Sequence, residues 1–226
     1  MSRRTQQDWI RRYQEKGALW IHDGKPGRPH ALLTSGMHSS GFFNSKLVTE
    51  DAQLLADAAS DIVIALAGRM DFCAIQRVAG PATGATKLAE AIHVAINNNG
   101  GKCLWASPEK VGEGPDKKMV FTDSEKFPQP GEAVLLCEDV LTTGGSVDLA
   151  ASAVVSAGAT VLPFVVVLVN RSGLDEVSGK KIISLINRPM PIWSPGKDTC
   201  ELCAVGSEAI RPRQPAENWA RLTGTY

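Results

Sequence analysis

The chain has 226 residues, of which 43% are hydrophobic and 21% are charged. That length allows one α/β domain with a sizeable core. Its 24 basic residues balance 24 acidic ones, so the basic excess of a nucleic-acid-binding protein is missing and we expect no nucleic-acid partner. No apolar run is long enough to predict a membrane span, and we expect no targeting segment. The five cysteines form no dense pattern, which argues against a disulfide scaffold and favours a cytoplasmic protein.

The first 70 residues predict two helices. Trp9, Ile10 and Tyr13 are spaced for one face of a helix over residues 5–18. Turn signals occupy residues 23–29, and residues 40–48 could form a strand. Thr49 is the predicted N-cap of a second helix that ends near Gly68.

From residue 72 onward, predicted strands alternate with predicted helices. The strands are residues 72–80, 102–107, 131–139 and 159–171, and helices over 86–98 and 146–158 follow the first and third of them. This alternation predicts an α/β fold with a central, mainly parallel sheet flanked by helices. The continuous apolar run of the last strand predicts burial on both of its faces.

Two segments do not fit the alternation. Residues 107–130 are polar and charged, which predicts a lid, a disordered loop or a solvated hairpin. The tail, residues 188–226, predicts irregular structure packed against the domain.

The cysteines are expected to pack rather than to bind metal. Cys200 and Cys203 have the spacing of two zinc ligands, but zinc needs about four, and no second such pair or histidine pair stands near them in the sequence. Ordinary packing is therefore favoured, with a site shared across a dimer left open, and no metal is assigned directly to a side chain. Cys73, Cys103 and Cys137 are predicted to be core residues in strands.

The segment LLCEDVLTTGGSV, residues 135–147, contains the strongest functional signal. Glu138 and Asp139 end a buried strand, where ligands bind in open α/β sheets. The next turn enters a helix, whose N-terminus offers donors to a monophosphate; its residues are Thr142, Thr143, Gly144, Gly145 and Ser146. The two acids could accept hydrogen bonds from sugar hydroxyls and help hold hydrated Mg²⁺. The segment predicts a ligand that is a phosphorylated sugar, and the alternative is a structural turn whose aspartate only caps the helix.

The same segment resembles the phosphoribosyl pyrophosphate (PRPP) signature of type I phosphoribosyltransferases. The resemblance implies that Glu138 and Asp139 bind the ribose hydroxyls and that residues 142–146 bind the 5′-phosphate. The segment AGPATGATKLA, residues 79–89, resembles the family's pyrophosphate loop, which implies contacts from Pro81, Ala82, Thr83 and Gly84. A nucleotide-binding P-loop is excluded because Gly80 and Gly84 are separated by only three residues.

The resemblance also implies an architecture. It is the type I phosphoribosyltransferase fold in one domain over residues 1–226, with a small hood made by the N-terminal and C-terminal segments. The N-terminal hood segment is residues 1–48, the core sheet is 49–187 and the C-terminal tail is 188–226.

Three further segments resemble orotate phosphoribosyltransferases. Residues 32–48, LLTSGMHSSGFFNSKLV, resemble the N-terminal segment that covers the base, which implies base contacts from Ser35 and Phe43. Residues 165–173, VVVLVNRSG, resemble the strand end whose arginine faces orotate, which points to Arg171, and Thr142 matches another base contact. Residues 192–213 are similar to the tail of a bacterial and archaeal subgroup.

The family's mobile catalytic loop corresponds to residues 107–130. In the family, cations of this loop close over the pyrophosphate. The resemblance implies candidate catalytic residues in the loop, which are Lys110, Lys117 and Lys118, with Lys126 as a further cation.

The implied function is transfer of the phosphoribosyl group from PRPP to orotate. The products are orotidine 5′-monophosphate and pyrophosphate, the cofactor is Mg²⁺, and Asp139 acts with the loop lysines. The family suggests a homodimer with shared active sites. The alternatives are a phosphoribosyltransferase for another base and a PRPP-binding regulator that has lost catalysis.

Overall fold

The computed structural model describes residues 3–224. The helices, in chain order, are α1 (Gln6–Glu15), α2 (Lys46–Thr49), α3 (Ala52–Leu66), α4 (Thr86–Asn97), α5 (Gly145–Ser156), α6 (Glu201–Ala204) and α7 (Glu217–Thr223). The strands are β1 (Leu19–Ile21), β2 (His30–Leu32), β3 (His38–Ser39), β4 (Gly41–Phe43), β5 (Arg77–Ala79), β6 (Leu104–Ala106), β7 (Glu109–Val111), β8 (Lys118–Val120), β9 (Ala133–Leu141), β10 (Thr160–Asn170), β11 (Glu176–Val177), β12 (Lys180–Asn187), β13 (Ile192–Trp193) and β14 (Ala209–Ile210).

The chain forms two compact units. We call residues 3–9 and 45–188 the sheet unit, and residues 10–44 and 189–224 the minor unit. The prediction of one domain over residues 1–226 stays a prediction. No helix within residues 3–224 combines the length and the apolar character that crossing a bilayer would require.

The sheet unit is built on six strands in the order β11-β12-β10-β9-β5-β6. Five of these strands are parallel to their neighbours, and β11 at the edge is antiparallel to β12. The mainly parallel sheet predicted from the sequence is therefore confirmed. Because the strands run the same way, the carboxyl ends of β5, β9 and β10 lie along one edge of the sheet.

Both faces of the central strands are buried. Residues Val165 to Val169 of β10 are all 0% exposed, as the continuous apolar run predicts. Val134 and Leu136 of β9 pack with α5 in one apolar cluster, whereas the thiol of Cys137 lies beside the carbonyl of Ala85 at the start of α4. Helices therefore cover the sheet, and burial of this apolar surface is the main source of its stability.

Three local predictions are wrong. The N-cap of α3 is Asp51, whose carboxylate accepts the amides of Gln53 and Leu54 at 3.1 Å, and Thr49 instead ends α2. Residues 72–80 begin as a 3₁₀ turn, Phe72–Ala74, before β5 starts. Cys73 in that turn is exposed, so it is not a core residue, whereas Cys103 and Cys137 are buried.

The minor unit has regular structure, although its tail portion was predicted to be irregular. Strands β13, β3, β2 and β14 form one sheet, and β1 pairs with β4. Its apolar cluster is small; the buried members are Trp20, Ala31, Leu33, Ile210 and Leu222. The tail supplies β13, α6, β14 and α7 because its apolar residues complete this cluster and this sheet.

Candidate functional site

The turn after β9 forms the first part of the candidate site. Gly144 has φ +88°, a left-handed conformation, and a Cβ added there would lie 2.4 Å from Cγ2 of Val177. Only glycine fits this position without displacement of its neighbour. Helix α5 starts at Gly145. The first backbone N–H groups of a helix have no acceptor within the helix. They face a pocket of about 60 Å³, lined by Glu138 and residues 140–147. Free amides and the helix dipole make this pocket suitable for an anion.

The two acids lie inside β9 and face different parts of the site. Successive side chains of a strand point to opposite faces. Glu138 lines the pocket of the turn, whereas Asp139 lies against the loop after β5. A Cβ added at Gly84 of that loop would come within 3.1 Å of Oδ1 of Asp139. The structure therefore brings the acid pair, the turn and the predicted pyrophosphate loop together.

Glu138 is buried, and this changes its chemistry. Only 7% of its surface is exposed. Burial, together with the charge of Asp139, raises the pKa of Glu138 well above its ordinary value, and the charge of Lys110 acts against this rise. A buried carboxyl that stays protonated can donate a hydrogen bond as well as accept one.

Substituting Glu138 by glutamine is expected to stabilise the protein without ligand at neutral pH. Because folding raises the pKa of Glu138 above 4.5, the contribution of this group to stability is complete below that value and is lost as pH rises through the folded-state pKa. Glutamine does not ionise. The Tm of Glu138→Gln should therefore exceed that of the wild type by a widening margin above pH ~4.5, reaching a few degrees, since ~1 kcal/mol shifts Tm by about 2–4 °C at this size.

Thermal unfolding of both proteins between acidic and mildly alkaline pH tests this expectation. Glu90→Gln, on the exposed surface of α4, is the control and should follow the wild type. If the Tm of Glu138→Gln and the Tm of the wild type changed in parallel with pH, the raised pKa of Glu138 would be contradicted.

The predicted pyrophosphate loop is held by hydrogen bonds to residues 106–108, at the end of β6. The Gly80 amide donates to Ala106 and the Ala82 amide donates to Pro108, at 3.1 and 2.9 Å. The hydroxyl of Ser107 donates to the Gly80 carbonyl at 2.8 Å and lies 2.6 Å from the hydroxyl of Thr86. Sequence reasoning missed Thr86 and Ser107, although a hydroxyl in the first turn of a helix is itself a signal for anion binding.

A second pocket opens beside this loop. Its volume is about 280 Å³, and its lining is Ala82, Thr83, Thr86, Trp105, Ser107, Glu109, Phe121, Thr122, Asp123 and Lys126. The ammonium of Lys126 lies 3.9 Å from the centroid of the Trp105 ring and 3.2 Å from the carboxylate of Asp123. Lys126 is thus a cation of this pocket.

The segment 107–130 contains a β-hairpin. Strands β7 and β8 are antiparallel, and Lys110 pairs with Met119. Met119 and Phe121 are buried in the cluster that includes α5, which anchors the hairpin and explains why it forms in so polar a segment. Lys117 and Lys118 are exposed at the start of β8. Of the three candidate catalytic lysines, Lys110 is the one whose charge acts on Glu138.

Arg171 follows the end of β10, beside the turn. Its backbone amide donates to the carbonyl of Leu141 at 2.8 Å, which joins the ends of β9 and β10. The residue is 2% exposed, so its side chain is buried and does not lie on the surface. Burial lowers the pKa of Arg171 to about 10, and the guanidinium remains charged at pH 7.

Two further predicted base contacts, Ser35 and Phe43, lie in the minor unit. Ser35 is exposed in the tight turn between β2 and β3. Phe43 is 2% exposed, and its ring meets Tyr13 edge to face with centroids 5.4 Å apart. This packing gives Phe43 a structural role, and its contact with the base stays a prediction.

The prediction that the tail cysteines only pack considered ligands close to them in the sequence. His30 and His38 are far from Cys200 and Cys203 in the sequence, but the four side chains cluster in the minor unit. Sheet pairing brings them together, which the spacing of the cysteines alone does not reveal.

The fold belongs to the phosphoribosyltransferases. The structure resembles that of a phosphoribosyltransferase from Corynebacterium diphtheriae with a TM-score of 0.57 and 20% identity, over 80% of this chain and 95% of the other. It resembles that of the orotate phosphoribosyltransferase from Aeropyrum pernix with a TM-score of 0.56 and 25% identity, over 78% and 92%. The predicted type I phosphoribosyltransferase fold is confirmed.

Comparison with sequence relatives identifies a particular family among the phosphoribosyltransferases. No family model matches the chain. The orotate phosphoribosyltransferase of a Nitratiruptor species is 32% identical over 216 residues, which cover 88% of this chain and 95% of the relative. That of Desulforamulus reducens is 33% identical over 183 residues, covering 81% and 87%. The chain belongs to the orotate phosphoribosyltransferase family.

Proposed function

We propose that the protein transfers the phosphoribosyl group of PRPP to orotate, forming orotidine 5′-monophosphate and pyrophosphate in pyrimidine nucleotide biosynthesis. The observation that carries the proposal is the turn between β9 and α5, where helix amides and a left-handed glycine face a small pocket beside two acids. Family membership supports orotate as the acceptor.

The 5′-phosphate occupies the pocket of the turn, where amides and hydroxyls of residues 142–146 donate to its oxygens. Glu138 and Asp139 bind the ribose hydroxyls. The pyrophosphate lies along residues 81–84, and Lys110, whose charge acts on Glu138, is the cation that we assign to it. Arg171 orients orotate, because a guanidinium can pair with a carboxylate or a carbonyl in a forked geometry.

In the reaction, the bond between C1 of the ribose and the pyrophosphate oxygen breaks, and its electron pair leaves with pyrophosphate. A bond from N1 of orotate to C1 forms, and the proton of N1 passes to an oxygen of the departing pyrophosphate. No covalent enzyme intermediate is needed. C1 carries oxocarbenium character as it moves, and the two acids hold the ribose in place during that movement. Lys110 stabilises the negative charge that develops on the leaving group.

Mg²⁺ fits this arrangement. The carboxylate of Asp139, half-buried beside Gly84, is the kind of oxygen ligand that Mg²⁺ prefers, and we assign its other ligands mainly to PRPP. When bound, the ion supplies neutralisation of the pyrophosphate charge.

We also propose a cytoplasmic homodimer with shared active sites. None of the five cysteines, all of which lie within residues 3–224, forms a disulfide, which suits a reducing compartment. The exposed Lys117 and Lys118 of the hairpin are candidates to act in a partner's site. Sedimentation of the protein with and without PRPP measures the oligomeric state directly.

Pyrophosphate release with PRPP, Mg²⁺ and one base at a time tests the acceptor. The bases are orotate, uracil, adenine and hypoxanthine, with a reaction without base as the control. Release with orotate should exceed that with any other base at least about a hundredfold. Release with another base alone would retain the PRPP site and overturn the acceptor. PRPP binding without any release would point to a regulator.

A further inference from the structure

Four potential metal ligands converge in the minor unit. They are Nε2 of His30, Nδ1 of His38 and the sulfurs of Cys200 and Cys203, and these atoms all lie within 4.8 Å of one another. The two nitrogens are 2.9 Å apart. The sulfur of Cys203 lies 3.2 Å from His38 Nδ1 and 3.6 Å from His30 Nε2, and that of Cys200 lies 3.6 Å from His30 Nε2.

These nitrogen–nitrogen and nitrogen–sulfur distances are close to those between the ligand atoms of a tetrahedral zinc site. With Zn–N near 2.0–2.1 Å and Zn–S near 2.3 Å, the edges are about 3.3 Å between nitrogens and about 3.5 Å between nitrogen and sulfur. The four shorter separations differ from these edges by less than about 0.5 Å, and the widest separation in the cluster, up to 4.8 Å, would close by about 1 Å in a regular site. We propose that these four side chains bind one zinc ion, which joins the β2–β3 hairpin to α6.

A hydrogen-bond chain orients His30 for this role. The hydroxyl of Ser207 donates its proton to the carbonyl of Arg28, so its oxygen is an acceptor for Nδ1–H of His30, 2.7 Å away. Nδ1 therefore carries the proton, and the lone pair of Nε2 points into the cluster. Metal-binding histidines usually have their second nitrogen fixed by such a partner.

The ligand set indicates a structural site. Four protein ligands leave no position open for water or substrate, which distinguishes structural zinc from catalytic zinc. His30, His38 and Cys200 are 0%, 7% and 1% exposed, and two thiolates would balance the charge of Zn²⁺.

The minor unit also benefits from such a cross-link. It has about 70 described residues, a size at which an apolar core alone supplies limited stability. The ligands come from two segments more than 160 residues apart, and an ion bound only in the folded state stabilises that state.

A different arrangement of protons gives the same nitrogen distance without metal. In it, Nδ1–H of His38 donates to Nε2 of His30, and both cysteines stay thiols. The two arrangements differ in metal content and in the number of thiolates, so a direct measurement separates them.

The first test is metal content and cobalt uptake of the wild-type chain, purified without a metal-affinity tag. We expect about one zinc per chain. After removal of the zinc by a chelator, Co²⁺ alone should produce tetrahedral d–d bands and thiolate-to-cobalt charge-transfer bands that saturate at one ion per chain. Protein that contains no zinc, and that shows neither set of bands with Co²⁺, would overturn the proposal whether or not any variant folds.

Variants assign the ligands. Cys203→Ser should lose the stoichiometric zinc, whereas Cys73→Ser, at an exposed cysteine outside the cluster, should retain it. Ser207→Ala should weaken zinc binding about 10–100-fold, as expected for loss of an outer-shell partner. Full zinc retention by Cys203→Ser would remove that residue from the site and contradict the four-ligand set.

Discussion

Replacing Asp139 by asparagine is expected to lower kcat/KM for phosphoribosyl transfer about a hundredfold or more, with a Tm change of only a few degrees. The carboxylate lies where the turn pocket and the Gly84 loop meet, and hydrogen bonds to a charged group contribute about 1.5–3 kcal/mol each. Loss of two such bonds to the ribose in the transition state corresponds to a rate factor of at least about 100. The fold tolerates the change because an amide oxygen can also accept the Val140 N–H, which Asp139 accepts at 2.8 Å.

The kinetic comparison needs a matched aspartate. Asp148 lies in the first turn of α5 and is exposed, and Asp148→Asn should retain activity within about threefold. Steady-state rates and thermal unfolding are measured for both variants. Near-normal activity of Asp139→Asn would remove this carboxylate from the proposed ribose site, whereas equal losses in both variants would indicate a general charge effect.

Replacing Arg171 by lysine is expected to lower kcat/KM for orotate by about two orders of magnitude and to change the KM for PRPP much less. Lysine retains the positive charge but not the planar fork that pairs with a carboxylate or with adjacent carbonyl groups. Arg171 is buried and follows β10 directly, so a shorter, differently shaped cation cannot reproduce its position. The loss of activity should therefore concern the use of orotate and not the binding of PRPP.

Kinetics with each substrate varied in turn, together with PRPP binding by calorimetry, separate the two contributions. Arg69→Lys, on an exposed loop after α3, controls for the arginine-to-lysine change itself. If Arg171→Lys weakened PRPP binding as much as orotate use, the guanidinium would not act specifically on the base.

The site could be predicted where it is local in sequence. Glu138, the turn and the start of α5 are consecutive, so one segment of 13 residues contains the strand end, the glycine turn and the helix N-terminus. Their physical roles follow from strand burial and from unsatisfied helix amides. Arg171 was predicted differently, from the resemblance of residues 165–173 to a strand end of the orotate phosphoribosyltransferases.

The remaining features depend on contacts between distant residues. Met119 and Phe121 anchor the hairpin only because α5 packs there, and their polar neighbours obscure the alternation. The histidines and cysteines of the minor unit are brought together by sheet pairing across more than 160 residues. The wrong N-cap for α3 has a local cause. Thr49 and Asp51 are both good N-cap residues, so residue preference alone does not distinguish them.

The pairing of the two central strands, β9 and β10, is irregular at one end of the sheet and regular at the other. Between Val161 and Val165, β10 advances four residues while β9 advances two, from Val134 to Leu136. Pro163 lies inside this irregular stretch, where a residue without an amide proton is tolerated. From Leu136 to Leu141 the pairing with β10 follows an unbroken register. Extra residues are thus absorbed at the end of the sheet away from the ligand, whereas a single insertion or deletion near Glu138 would exchange the faces of the two acids. Natural relatives should therefore vary in length at the end of the sheet away from the ligand. They should keep a constant length near Glu138.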